Sequence, residues 1–238
     1  FLDVGFAKLR VVASTADIAA LVREVGHDRI DVTAIGRGAQ DPHFIEAKPS
    51  FMVRMRDADL LVWNGLSLEV GWLPSLIRGA RNPKVSQGSL GSLELGALID
   101  PIERPTSGIT RAMGDVHPDG NPHFMLDPVL VADLALKLAG RLGDLDASNK
   151  DFFSANAATY KEKLLKQTEL WRARVEKTKV KAVITYHSSM NYFLKRFGLV
   201  STLQLEDKPG VPPSAQHILH VIETMKKIDI RHILVDNF

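Results

Sequence analysis

One interruption in an otherwise regular rhythm constrains this chain more than any other feature. Short β-branched runs alternate with amphipathic segments, a single helical period then holds from about Asn149 to Lys177, and the alternation resumes. Before the break the strand candidates are Leu9 to Ala13 (LRVVA), Asp31 to Ile35 (DVTAI), Leu60 to Trp63 (LLVW) and a short run around Val85. Between them, Ser14-Thr15-Ala16-Asp17 supplies capping residues for a helix whose Ile18, Leu21, Val22 and Val25 share one face. Further helices are expected over Ser50 to Arg56 and Leu68 to Ile77. This alternation predicts a mostly parallel sheet covered on both faces.

From Ser89 to Pro122 the chain is rich in Gly, Pro, Ser and Thr and reads as a loop. Asp127-Pro128 then opens a helix running to about Leu142. The long segment that follows carries Phe153, Ala157, Tyr160, Leu164, Trp171 and Val175 at helical spacing. At about 1.5 Å per residue it spans roughly 40 Å, more than the width of one small domain. After it come strand Lys181 to Thr185, helix Met190 to Phe197, strand Val200 to Leu205, a Pro-containing loop to Pro213, helix Ser214 to Lys227 and strand His232 to Val235. The expectation is an α/β protein of two Rossmann-like α/β lobes joined by one long helix. Its parts are an N-terminal lobe over 1–148, the helix over 149–178, and a C-terminal lobe over 179–238, incomplete at its C-terminus.

Composition narrows the chemistry. Of 238 residues 45% are hydrophobic and 24% charged, which is globular rather than disordered. Thirty Lys and Arg against 28 Asp and Glu leave +2, too balanced for a strongly basic nucleic-acid face, so no nucleic-acid partner is expected. There is no cysteine, which excludes disulfides, thiolate zinc sites and cysteine nucleophiles in these residues, so any metal site must use imidazole and carboxylate. No apolar run reaches the roughly 18 to 20 residues of a membrane span, and Phe1 to Lys8 is too short and mixed for a signal peptide.

Three of the eight histidines share their surroundings. His43 follows Asp41-Pro42 in the loop after strand Asp31 to Ile35, and His187 follows strand Lys181 to Thr185 directly. Both loops lie at carboxyl ends of strands, where ligands of open α/β sheets gather. His123 precedes a helix start, and Pro-His-Phe occurs at both Pro42-His43-Phe44 and Pro122-His123-Phe124. Spacing alone does not bring the three together. They stand 80 and 64 positions apart, and a histidine in such a loop is most often a solvated turn residue. One cleft between lobes could nevertheless collect all three.

Asp41-Pro42-His43, Asn64-Gly65-Leu66-Ser67-Leu68-Glu69, Asn121-Pro122-His123-Phe124-Met125-Leu126-Asp127-Pro128 and Tyr186-His187, in this order, resemble the metal-binding solute-binding proteins of ABC importers for zinc, manganese or iron. The resemblance covers essentially the whole chain. It implies a metal site in the interlobe cleft with His43 and His123 from the first lobe and His187 from the second. It also implies Zn(II) as the transported ligand, a membrane permease as partner, a monomeric receptor and no enzymatic activity. Manganese-selective relatives usually carry glutamate at the third position, so His187 points to zinc, and borderline imidazole suits Zn²⁺ where oxygen-rich sites suit Mn²⁺. A Mn(II) or Fe(II) receptor of the same family is the alternative.

The family also implies a carboxylate fourth ligand, expected beyond residue 238 and assigned here to neither Glu206 nor Asp236. Periplasmic localisation with the signal peptide removed, or an extracytoplasmic surface, follows from the same resemblance. The absence of a cysteine near Phe1 favours the soluble periplasmic form. Three histidines with an open position could also activate water as in a zinc hydrolase, but no His-Glu-x-x-His string is present and no general base stands out. Some relatives are credited with adhesion, which these residues do not address.

The remaining positions take plainer readings. His117 could help capture metal loosely but reads better as a solvated turn residue, and His27 reads as exposed. His217 and His220, at i and i+3, could pair on a metal but read as surface or partly packed, and His232 starts a strand. Glu69 is either a buttress of the binding edge or an exposed helix-start residue. Trp63 and Trp171 read as core.

Overall fold

The computed structural model describes residues 8–108 and 113–236. The chain up to residue 7, positions 109–112 of the expected loop, and Asn237 and Phe238 lie outside the described residues. The fold divides into two units: residues up to Asp100 together with Pro128–Lys166, and Pro101–Asp127 together with the chain from Gln167 onward.

In the first unit β1 (Leu9–Ala13) lies between β2 (Ile30–Ala34) and β3 (Leu60–Trp63), with β4 (Ser92–Glu94) beyond β3. The order is β2-β1-β3-β4 and every pair is parallel. Val12 is in register with Leu61, and both join an apolar cluster with Met55, Trp72, Leu73 and Leu76. That is the face covered by α2 (Pro49–Arg56) and α3 (Leu73–Ala80). Strand alternation turns Val11 and Leu60 to the opposite face. There α1 (Ala16–Gly26) and α4 (Pro128–Leu145), packed on each other, bury Ile18, Leu21, Val22, Leu134, Leu138 and Leu142. Each such side chain contributes about 1.5 to 3 kcal/mol on burial.

Two expectations for this unit are corrected. Val85 is in a 3₁₀ turn, Pro83–Val85, and the fourth strand is Ser92–Glu94. Asn82 organises the turn: its amide donates to the carbonyls of Met55 and Ala58 at 3.0 and 2.8 Å while its oxygen accepts the Lys84 N–H at 3.0 Å. The third helix begins at Leu73 rather than Leu68, because Gly65, Leu66 and Ser67 have φ of 82°, 52° and 65° and break helical geometry. Trp63 packs against the cluster as expected, whereas Trp171 is exposed.

The long helix α5 (Lys150–Thr178) runs from one unit into the other. Its first half belongs with the first sheet: Phe153 and Ala157 are buried, and the Asn156 amide donates to the Val25 carbonyl at 3.0 Å. In the second unit β5 (Ala182–Thr185) lies between β6 (Val200–Gln204) and β7 (Ile233–Leu234), again all parallel, in the order β6-β5-β7. α7 (Ala215–Lys227) covers this sheet through Val221, which packs with Ile184 and Ile230. α6 (Asn191–Phe197) ends at Gly198, whose φ of 68° is the left-handed closure that glycine supplies.

Residues 101–127, assigned by the sequence reading to the first lobe, group with this second unit. The bonds explain why. The Tyr192 hydroxyl donates to the Asn121 carbonyl at 2.9 Å and accepts the Ile102 N–H at 3.1 Å. Arg196 grips the buried Asp127 carboxylate with two bonds of 2.7 and 2.8 Å. Among the described residues no helix is long and apolar enough to cross a membrane.

Candidate metal centre

His43 stands in the loop between β2 and α2, in the first unit. The Asp41 carboxylate oxygen Oδ1 accepts the His43 backbone N–H at 2.9 Å and meets its ring Nδ1 at 2.7 Å. One aspartate thereby fixes both the turn and the ring. The Trp72 indole N–H donates to the Pro42 carbonyl at 2.9 Å and anchors the same loop to α3. With Nδ1 donating to Asp41, Nε2 is the lone-pair nitrogen of the neutral imidazole.

His123 and His187 are brought together within the second unit. Their ring centroids are 5.4 Å apart and the planes stand at 89°. Asn121 builds the pair's scaffold: its side-chain oxygen accepts the His123 N–H at 2.9 Å, and its amide donates to the Ser188 carbonyl at 3.0 Å and to Glu103 at 2.8 Å. His187 leaves the carboxyl end of β5, where the Tyr186 N–H bonds the Leu234 carbonyl at 2.8 Å. Its Nδ1 lies 2.7 Å from Glu206 Oε2, and both residues are buried. That oxygen also accepts the Gly210 N–H at 3.0 Å.

Glu206 is therefore behind the His187 ring. Asp236 is likewise engaged, both its oxygens accepting from the Ser189 hydroxyl at 2.7 and 2.8 Å. His117 is not a solvated turn residue: it is half-buried with its ring 6.3 Å from that of His123. His27 is exposed as expected, whereas His232, expected to start a strand, is exposed and stands just before β7.

Glu69 is a buttress rather than a surface residue. It is buried, and its two oxygens accept the N–H groups of Asn64 at 2.7 Å and Gly65 at 3.1 Å at the carboxyl end of β3. Burial pushes its carboxyl above the usual range, against the opposing pull of the Ser14 hydroxyl and those backbone donors. Gly65 suits this position through its positive φ, and a Cβ there would displace the Glu94 side chain. The sequence singled out the three histidines as candidates but not the carboxylates behind two of them. Asp41 was inside the quoted Asp41-Pro42-His43 string, while Glu206 is 19 positions from His187 and carried no local signal.

Comparisons with known proteins cover nearly the whole chain. Residues 11–238 match the family model described as ZnuA, zinc-uptake complex component A periplasmic. The manganese ABC transporter substrate-binding lipoprotein PsaA of Streptococcus pneumoniae serotype 4 is 25% identical over 235 residues, 97% of this chain and 72% of that protein. The zinc-binding lipoprotein AdcA of S. pneumoniae R6 is 25% identical over 227 residues, 95% of this chain and 44% of that protein. Among solved structures, a crystal structure of ZnuA superposes with a TM-score of 0.80 at 24% identity, covering 98% of this chain and 84% of that one. The laminin-binding adhesin Lmb of Streptococcus agalactiae superposes with a TM-score of 0.76 at 28% identity, covering 97% and 81%. The two parallel sheets and the long helix are the architecture of these neighbours, and the chain belongs to the ZnuA family, the substrate-binding proteins of metal-importing ABC transporters.

Proposed function

We propose that this protein is an extracytoplasmic receptor, periplasmic and monomeric, that binds one Zn(II) ion through His43, His123 and His187 and delivers it to an ABC permease. The observation that carries the reading is the His123–His187 pair. Two imidazoles on one tetrahedral ion, with bonds of about 2.05 Å and ring radii near 1.15 Å, have centroids about 5.2 Å apart; these stand at 5.4 Å. Both His187 and His43 present a carboxylate to Nδ1, the arrangement that fixes the tautomer and raises the basicity of a metal-bound imidazole. Nitrogen donors favour zinc over manganese, and the matched family is named for zinc uptake. The manganese name of PsaA keeps a Mn(II) receptor as the second reading.

A carboxylate would complete the coordination. Release would proceed by local loop rearrangement more than by wide closure about the long helix, so matching apo and loaded structures should differ little in lobe angle. The direct experiment is titration of Zn²⁺ into metal-stripped protein, followed by competition with Mn²⁺. Tight one-to-one binding lost in His43→Ala, His123→Ala and His187→Ala is expected; retention of that binding in any of the three removes that residue from the site.

A further inference from the structure

The second sheet has a strongly basic edge. Parallel strands start at one edge, and each crossover helix returns the chain to it, so helix ends and strand starts gather there. In the second unit these are the ends of α5 and α7 and the starts of β5, β6 and β7. Backbone bonds close the group: the Val200 N–H donates to the Lys181 carbonyl at 3.0 Å, the Ile184 N–H to the His232 carbonyl at 2.9 Å, and the Ile230 N–H to the Met225 carbonyl at 3.0 Å. Residues 176–181 and 226–232 carry six basic side chains, Lys177, Lys179, Lys181, Lys226, Lys227 and Arg231, against two acidic ones, Glu176 and Asp229. All six are exposed. The whole chain is only +2, so the remainder is net acidic and the positive charge is concentrated here.

Helix ends explain part of this. Lys177, Lys226 and Lys227 stand in last turns, where the macrodipole favours a cation. Lys179, Lys181 and Arg231 lie outside the helices, ahead of β5 and β7, and no dipole accounts for them. Asp229 meets Arg231 at 2.9 Å, but like charges outnumber it, and their crowding costs energy that an anionic surface relieves. Two apolar side chains stand among the cations: Ile228, 46% exposed just after α7, and Val200, 58% exposed and bonded to Lys181. Cations around exposed apolar side chains suit a charged bilayer, with ammonium groups at the phosphates and apolar tips in the interface. We propose that this edge docks on an anionic phospholipid bilayer. His187 and Glu206 follow β5 and β6 at the opposite, carboxyl edge of the same sheet, so docking leaves that edge turned away from the lipid.

The probe is a vesicle of equal parts phosphatidylglycerol and phosphatidylcholine, with pure phosphatidylcholine as the neutral control, and the readout is cosedimentation of the full chain. Binding to the anionic vesicles alone at about 0.1 M salt, lost at about 1 M, is expected, because the screening length falls from about 10 Å to about 3 Å. Each lysine near such a surface contributes about fivefold in partitioning, so Lys226→Ala with Lys227→Ala should weaken binding about 25-fold. Lys163→Ala with Lys166→Ala removes the same charge from exposed positions of α5 in the first unit and should leave binding nearly unchanged. Equal loss in the two pairs, no preference for anionic lipid, or release by inorganic phosphate at constant ionic strength overturns the proposal. The experiment reads no metal, so its failure leaves the receptor reading standing.

Discussion

Replacing Glu206 with alanine is the sharpest test of how the second unit holds the His187 ring, the ligand proposed above. The side-chain oxygen Oε2 holds two donors, His187 Nδ1 at 2.7 Å and the Gly210 N–H at 3.0 Å, in a buried setting. Removing it leaves both donors without their acceptor, which costs the metal-free protein about 1 to 3 kcal/mol for each donor that water does not reach. That cost falls on both metal-free and loaded protein and largely cancels in the affinity. What survives is differential: a metal-bound imidazole carries part of the ion's charge, so its Nδ1–H is a stronger donor and loses more. Outer-shell carboxylates of this kind are worth about 10- to 100-fold in affinity, or about 1.4 to 2.7 kcal/mol. Glu206→Gln keeps an acceptor without the charge and should fall at the lower end of that range. The assay is competition against a chromogenic zinc chelator at fixed neutral pH, with circular dichroism to check the fold. A dissociation constant for folded Glu206→Ala within about twofold of the parent would refute the argument.

Three further outcomes test the fold. Arg196→Ala leaves the Asp127 charge buried without its guanidinium, the side chains being 29% and 7% exposed; denaturant unfolding should show a loss of about 3 kcal/mol, and hydrogen exchange should rise in 113–127. Leu138→Ala removes a fully buried side chain of α4 and should cost about 2 to 5 kcal/mol by the same measurement. For Glu69 the sign follows from a carboxyl whose pKa is raised in the folded protein above its ordinary 4.5. Between those two values the folded state holds the extra proton, so this group's contribution to stability is greatest below 4.5 and falls as pH rises through the raised pKa. The difference in thermal melts between the parent and Glu69→Gln, which is less stable at low pH because its amide faces a backbone donor, should shrink as pH rises through the raised pKa.

The strands that were legible in the sequence are those with several β-branched or apolar residues in a row, such as LRVVA and LLVW, because burial on both faces leaves little room for polar positions. Ser92–Glu94 has one apolar residue, Leu93, and pairs on the edge of its sheet, so its strand character comes from β3 beside it rather than from its own composition. The same reasoning explains the histidines. Pro-His-Phe and the end of a strand are local signals, whereas the bond from Glu206 to His187 depends on how β6 aligns with β5. The left-handed run at Gly65, Leu66 and Ser67 was hidden for a further reason: two of its three residues are types that ordinarily avoid that conformation, and the buried Glu69 carboxylate that holds its N-terminal end is supplied from beyond the run.

The grouping of Pro101–Asp127 with the chain beyond Gln167 also sets an order of events during synthesis. A ribosome delivers the N-terminus first, and a unit folds when its last segment emerges. The first sheet has all its strands by Glu94 and its covering helices once residue 166 is made. At that moment His123 is already out, but Tyr192 and Arg196, which tie its segment down, are not. From its own synthesis the loop that carries His123 must wait through some 70 residues for Tyr192 and Arg196, and the His123–His187 pair can form only after residue 187 has emerged. A nascent chain thus acquires a finished first sheet well before these two imidazoles can meet.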